Sequence, residues 1–194
     1  MRIFSTYIYE NNNEVMADNL YEDCLNILNK VKEDDEKYEN GKTTFYHEKQ
    51  EINLEVRWCH LTDYILTEAH KYLLFLKSHD YKLKINQIWL SEMNQGGNHP
   101  LHVHVGSILS GTFYIHVPEN SGQIAFQRHE WMSDPFERIK FAEYNEYNAG
   151  IWRFKPKKGD LYIWKSDLPH LVQKNNSDSR ISVSFNIGID NERT

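Results

Sequence analysis

Cysteine is almost absent from this chain of 194 residues. Cys24 and Cys59 stand alone, so no disulfide framework holds the fold and a reducing compartment is expected. Long apolar runs are missing as well. No stretch approaches the roughly 20 residues of a membrane span, and Met1-Arg2-Ile3-Phe4-Ser5-Thr6 lacks the apolar run of a signal peptide, so a cytoplasmic location is expected. Basic residues fall short of acidic ones, 22 against 28, for a net charge of -6. That balance speaks against a broad affinity for nucleic-acid backbone or anionic membrane. There is no internal repeat and no low-complexity tract. What the chain has in quantity is aromatic side chains: 12 Tyr, 9 Phe and 5 Trp. Aromatics favour strands and the walls of clefts, which points to a β-rich fold with a lined pocket. The length suits one domain over residues 1–194, with a homodimer as the base-rate expectation for assembly.

Residues 3 to 9 form a β-prone run that ends at Glu10-Asn11-Asn12-Asn13, a polar cluster suited to a turn or a helix start. A helix is predicted next, because Leu20, Cys24, Ile27, Leu28 and Val31 recur at helical spacing. Residues 33 to 44 are charged, carry Asn40-Gly41 and read as a loop without evident chemistry. Leu61, Ile65, Ala69, Tyr72, Leu73 and Leu76 mark a second helix. From Tyr81 the period shortens to two, and a long strand is predicted through Ile88-Trp89-Leu90. Residues 110 to 126, interrupted by Pro118 and Glu119-Asn120-Ser121-Gly122, read as a hairpin. Residues 129 to 150 carry Trp131, Phe136, Phe141, Tyr144 and Tyr147 without clear period and read as a long loop, a substrate lid or an oligomer contact. Strands resume over 151–154 and 160–164, and a last one begins at Arg180. The result is a β-rich α+β pattern: a helical part over 1–80, then strands over 81–189. It suggests a double-sheet jelly roll with the helices packed outside.

One stretch carries chemistry: Asn98-His99-Pro100-Leu101-His102-Val103-His104. On an extended strand His102 and His104 point to the same face, and histidine is a common metal ligand. Alone the pair is weak, because the chain holds ten histidines. Downstream, His170 follows a strand and a Pro169 turn; ten residues later Arg180 opens a strand with Ser182 on the same face. Arginine presents a fixed charge in a planar fork that matches a carboxylate, and a serine hydroxyl adds a donor. Three imidazoles beside a carboxylate clamp describe a site for iron and a keto acid. His99 is a candidate substitute ligand, although Pro100 favours a supporting role. Asp167 reads equally as a plain turn cap and as a group that orients a ligand imidazole. His116 and His129 read as surface or hydrogen-bonded structural residues.

These residues resemble the Fe(II)/2-oxoglutarate-dependent dioxygenases, specifically a small group found in bacteria and phages. The resemblance rests on His102-Val-His104, on Ser110-Gly111 through Gly122, and on Pro156-Lys-Lys-Gly159-Asp160 through His170 to Arg180-Ile-Ser182-Val-Ser-Phe185-Asn186. It implies a double-stranded β-helix core with Fe(II) held near its open end by His102, His104 and His170. The co-substrate 2-oxoglutarate would chelate the iron and set its far carboxylate on Arg180, Ser182 and Tyr114. O2 would be consumed, succinate and carbon dioxide released, and a small-molecule or peptide substrate hydroxylated. Tyr114 reads as well as an ordinary core aromatic. One position departs from the family pattern: the usual triad has a carboxylate two residues after the first histidine, and here His104 stands there. Two other functions fit parts of the pattern. A cupin-like three-histidine enzyme without a keto acid would want a glutamate four to six residues after the paired histidines, where Ile108, Leu109 and Ser110 stand. A non-catalytic jelly-roll binding module predicts that the histidines do not converge and that Arg180 pairs with an ordinary acid.

Overall fold

Side-chain alternation along three central strands separates two cores, and that separation builds the site. The computed structural model describes residues 5–32, 39–46, 54–128 and 138–190. The elements run β1(Tyr9–Asn12), α1(Glu14–Leu28), β2(Gly41–Thr43), α2(Leu54–Arg57), α3(Cys59–Phe75), β3(Leu83–Asn94), β4(His99–His102), β5(Leu109–His116), β6(Ile124–Gln127), β7(Ile151–Phe154), β8(Asp160–Lys165), β9(His170–Val172) and β10(Ser179–Ile189). Six strands form one antiparallel sheet in the order β1-β8-β5-β10-β3-β2, and four form a second in the order β4-β9-β6-β7. This is the jelly-roll pattern expected, with the sheets facing each other and not closed into a barrel.

Odd-numbered residues of the central strands, Phe113 and Ile115, Leu161 and Ile163, and Ile181, Val183, Phe185 and Ile187, pack with the helices in one core. Helix α1 contributes Ala17, Cys24, Ile27 and Leu28, and α3 contributes Leu61, Ile65, Ala69 and Tyr72. Even-numbered neighbours face the second sheet. Tyr114, Tyr162 and Trp164 meet Ile124, Phe126 and Leu168 in a separate core. Because strand periodicity is two, Arg180 and Ser182 take the inward face along with Tyr114. A bulge adjusts β3 to this plan: Asn186 pairs with Gln87 but Ile187 pairs with Ile85, which leaves Asn86 as an extra residue. The phase therefore flips. Leu83 and Ile85 share the helix side with Ile88 and Leu90, and Trp89, Ser91 and Met93 turn into the cavity.

Several expectations are corrected. The first strand lies at Tyr9–Asn12 and not over residues 3–9, whose first two residues lie outside the described ones; the helix start expected in the polar cluster is found at Asn13, which caps α1 with its Oδ1 accepting the Met16 N–H at 3.0 Å. The expected loop over 33–44 contains β2, which pairs with β3, while residues 33–38 lie outside the described part. The hairpin expected over residues 110–126 is not formed. Both edges of β5 are taken by β8 and β10, so β6 has no place beside it and pairs with β7 and β9 in the other sheet. The turn at 156–159 likewise crosses between sheets. Gly159 adopts φ +81° there, and a Cβ would stand 2.6 Å from the Glu14 backbone nitrogen. Among the described residues, no helix is long and apolar enough to cross a membrane.

Candidate active site

β4 and β9 are adjacent antiparallel strands, and their register sets His102 opposite His170. His104 was expected on the same strand as His102, but β4 ends at His102. The alternation of burial persists beyond that end, and the His104 N–H donates to the Ser166 carbonyl at 2.9 Å. The three histidines offer ligand nitrogens that all lie within 4.8 Å of one another. Two of the rings, those of His170 and His102, are oriented by main-chain acceptors. The Nδ1 of His170 lies 2.9 Å from the Leu168 carbonyl, and that of His102 lies 2.8 Å from the Pro100 carbonyl. A carbonyl can only accept, so each Nδ1 carries the proton and each Nε2 keeps a lone pair for a metal. Asp167 is exposed, and the acceptor at His170 comes from its neighbour Leu168. His99 stands beside His102, with their Nδ1 atoms 3.1 Å apart. The His116 ring lies tilted against that of Tyr21, centroids 5.3 Å apart, and is not among the residues lining the site; His129 lies outside the described residues.

Burial, followed by the neighbouring imidazoles, holds the whole cluster in its neutral form. His170 is pushed down to about 3, and His104 and His99 to about 4. His102 is lowered too, by burial. Neutral imidazoles are the form that binds metal, so the site needs no deprotonation step at neutral pH.

The cluster faces a cavity of about 280 Å3 that also receives Arg180, Ser182 and Tyr114. Ser182 lies directly across from Tyr114 on β5. Arg180 is 4% exposed, and its Cζ stands 5.4 Å from the centre of the Tyr114 ring. Its Nη1 donates to the Gly122 carbonyl at 3.0 Å, while its Nε has no hydrogen-bond partner. Buried side-chain atoms without partners number three among the described residues: Tyr64 Oη, Trp164 Nε1 and Arg180 Nε. Two of the three belong to residues lining this cavity, and native proteins rarely leave such donors unpaired unless a ligand meets them. Burial raises the Tyr114 phenol well above its usual range, so it keeps its proton and can donate.

Residues 87–186 match the family model described as "Putative 2OG-Fe(II) oxygenase". The chain belongs to this family. As an oxygenase of the family it depends on Fe(II), 2-oxoglutarate and O2, and the donor set fits them: three neutral nitrogens for the metal, and one unsatisfied guanidinium for a carboxylate. Comparison with curated proteins gives no match. Solved structures give the same fold. HygX from Streptomyces hygroscopicus, with nickel and 2-oxoglutarate bound, aligns at TM-score 0.64 and 10% identity over 95% of this chain and 83% of its own. The viral collagen prolyl hydroxylase vCPH from Paramecium Bursaria Chlorella virus-1, a 2-oxoglutarate complex, aligns at 0.56 and 14% over 93% and 94%. A Pseudomonas putida prolyl-4-hydroxylase aligns at 0.59 and 13% over 93% and 92%. At these identities the likeness speaks for the fold.

Two readings give way in this oxygenase. The binding-module alternative required histidines that do not converge and an Arg180 paired with an acid, whereas the three rings meet and Arg180 is bonded to a carbonyl. The cupin-like alternative gives way to the family placement. Sequence reasoning missed Phe45, Tyr46 and Trp89, which line the opening. It also missed the Ser166 carbonyl, since a main-chain atom leaves no trace in residue identity.

Proposed function

We propose that His102, His104 and His170 hold the ferrous ion and that Arg180, Ser182 and Tyr114 receive the far carboxylate of 2-oxoglutarate, in a hydroxylase acting on a small molecule or peptide. The observation that carries this reading is the buried Arg180 guanidinium, whose Nε is unpartnered in the same cavity as the three imidazoles. When bound, iron and 2-oxoglutarate supply an oxidation in which the co-substrate is converted to succinate and carbon dioxide and a substrate C–H bond is hydroxylated by O2.

The protein's own groups do the rest. Arg180 binds the far carboxylate through a charge-assisted bond in a site shielded from water. The Gly122 carbonyl and the Tyr114 ring fix the plane of its guanidinium, so little side-chain entropy is lost when the co-substrate arrives. Tyr114 and Ser182 stand on neighbouring strands as two further donors. The Leu168 and Pro100 carbonyls hold the proton on Nδ1 of His170 and His102, which leaves the lone pair of each Nε2 free for a metal. Trp164 and Phe126 pack against His170 and exclude water from the floor. The whole chain acts as one domain, supported by the core shared between the helices and the larger sheet. A cytoplasmic setting is supported by Cys24 and Cys59, which are both free thiols.

The test is anaerobic addition of Fe(II) and then 2-oxoglutarate, watching for the visible charge-transfer band of the chelate, followed by admission of air and assay of succinate. The band and succinate are the expected outcome. No band, together with no succinate, overturns the assignment.

A further inference from the structure

The cavity has two unlike ends. The floor holds Arg180, Ser182 and Tyr114, none more than 4% exposed. The mouth is aromatic and open: Phe45 is 41% exposed and Tyr46 is 52% exposed. Phe45 meets Trp89 nearly edge to face, with centroids 5.2 Å apart and planes at 74°. Tyr46 meets Phe45 at 5.1 Å and 85°. Trp89 in turn lies 5.8 Å from the His104 ring. Three rings set almost at right angles thus form a corner that runs from solvent to a histidine of the cluster, with Val103 at the same opening. Exposed aromatic surface is costly in water, and its concentration at a cavity mouth marks a place meant to be covered.

We infer that this corner receives an uncharged ring of the substrate, packed with its C–H bonds against the faces of Phe45 and Trp89. The inference rests on the iron and 2-oxoglutarate reading of the floor. Charge decides against an ionic substrate group. Among the described residues lining the cavity, Arg180 is the sole permanently charged side chain, and it lies at the floor. With three neutral ligands, the two positive charges of the ferrous ion and the one of Arg180 exceed the two negative charges of the co-substrate. A cation brought to the mouth would be repelled by that excess, despite the attraction of aromatic faces. An anion would feel that excess as attraction, but among the described residues at the mouth it would find no lysine or arginine to replace its lost hydration. A ring is favoured over a flexible chain because immobilising each rotor-rich chain costs about 0.5–1.5 kcal/mol, and a ring has already lost that freedom.

The test uses the chain loaded with Ni(II) and 2-oxoglutarate and four probes: cyclohexanecarboxamide, heptanamide, cyclohexylammonium and cyclohexanecarboxylate. Binding is read by saturation-transfer NMR titration. The expected order puts cyclohexanecarboxamide tightest, with its affinity falling about tenfold in Phe45→Ala, in line with the value of an aromatic contact plus its buried area. Nickel and 2-oxoglutarate affinities stay at the parent level in that variant. The inference is overturned if heptanamide binds as well, if either charged ring binds best, if no probe binds, or if Phe45→Ala changes nothing. Failure of nickel or 2-oxoglutarate to bind the parent chain would overturn the assignment beneath it as well, and is read separately in the same titrations.

Discussion

The backbone N–H of His104 donates to the carbonyl of Ser166 at 2.9 Å, and this bond ties one histidine of the cluster to the turn that leads to another. Ser166 is buried, and its own N–H donates to the Ile108 carbonyl at 3.2 Å. Its hydroxyl lies 2.8 Å from that of Ser110, which in turn donates to Asn186 Oδ1 at 2.7 Å. Four separate segments are therefore pinned through one serine.

Ser110→Ala should be costly for that reason. It leaves Asn186 Oδ1 and the Ser166 hydroxyl each short of a partner in a buried place, where such a loss is worth about 1–3 kcal/mol. Urea unfolding of the metal-free protein should show a drop in that range. Nickel affinity should fall at the same time, because the His104 and His170 segments lose a common anchor. A variant as stable as its parent, with unchanged nickel affinity, would remove Ser166 from the support of the cluster.

Arg180→Ala separates co-substrate binding from metal binding. Truncating one member of a buried charge pair costs roughly 2–5 kcal/mol, so 2-oxoglutarate affinity should drop by that amount in a calorimetric titration. Nickel affinity should stay nearly intact, since Arg180 is bonded to Gly122 and packed on Tyr114 rather than to the histidines. Equal loss of both ligands would make Arg180 structural.

How far the sequence foretells this arrangement depends on whether a feature is local. Residues two apart on a strand share a face, so the pairing of Arg180 with Ser182 was readable from spacing alone. The helical periods of α1 and α3 were equally local. The shift of phase in β3 is visible in hindsight, because Leu83 and Ile85 are followed by Ile88 and Leu90, which are three residues on and not two. The crossings between sheets were not readable. Pro118 to Gly122 looks like a hairpin turn, and what forbids the hairpin is that distant strands β8 and β10 already occupy both edges of β5. Strand β2 was hidden for a similar reason: Gly41, Lys42 and Thr43 become a strand only because β3 lies beside them, and that pairing delivers Phe45 and Tyr46 to the cavity mouth.

Glu68 supplies the pH dependence. It is buried on α3, where burial alone would raise its pKa, but hydrogen bonds from Lys71, Tyr9 and Asn11 outweigh that and hold it below the usual range. A carboxyl whose folded pKa is depressed contributes stability that is present above its unfolded value and lost as pH falls through the folded one. Glu68→Gln should therefore destabilise most at pH 6 to 7, by about 1.5–3 kcal/mol for bonds to a charged group. The gap to the parent should close below about pH 4, near and beneath the ordinary glutamate value. Denaturant midpoints at several pH values measure this. A gap that is constant with pH would mean that shape rather than charge holds β1 to α3.

His104→Asp addresses the departure at the position where the family pattern has a carboxylate. The backbone there is held by the Ser166 carbonyl, so the substitution changes the side chain while leaving its point of attachment fixed. Aspartate lends the ferrous ion one negative charge and an oxygen donor, in place of a neutral imidazole. Iron binding should persist, the charge-transfer band should survive, and turnover should be preserved or raised. The affinity for dianionic 2-oxoglutarate should fall, because one unit of positive charge is removed from its surroundings, a change on the order of 1–4 kcal/mol at contact distance. Titration of the iron-loaded variant with 2-oxoglutarate measures that shift. Loss of iron altogether would mean that the imidazole of His104 is specifically required, and that this oxygenase has built its centre on three histidines by necessity.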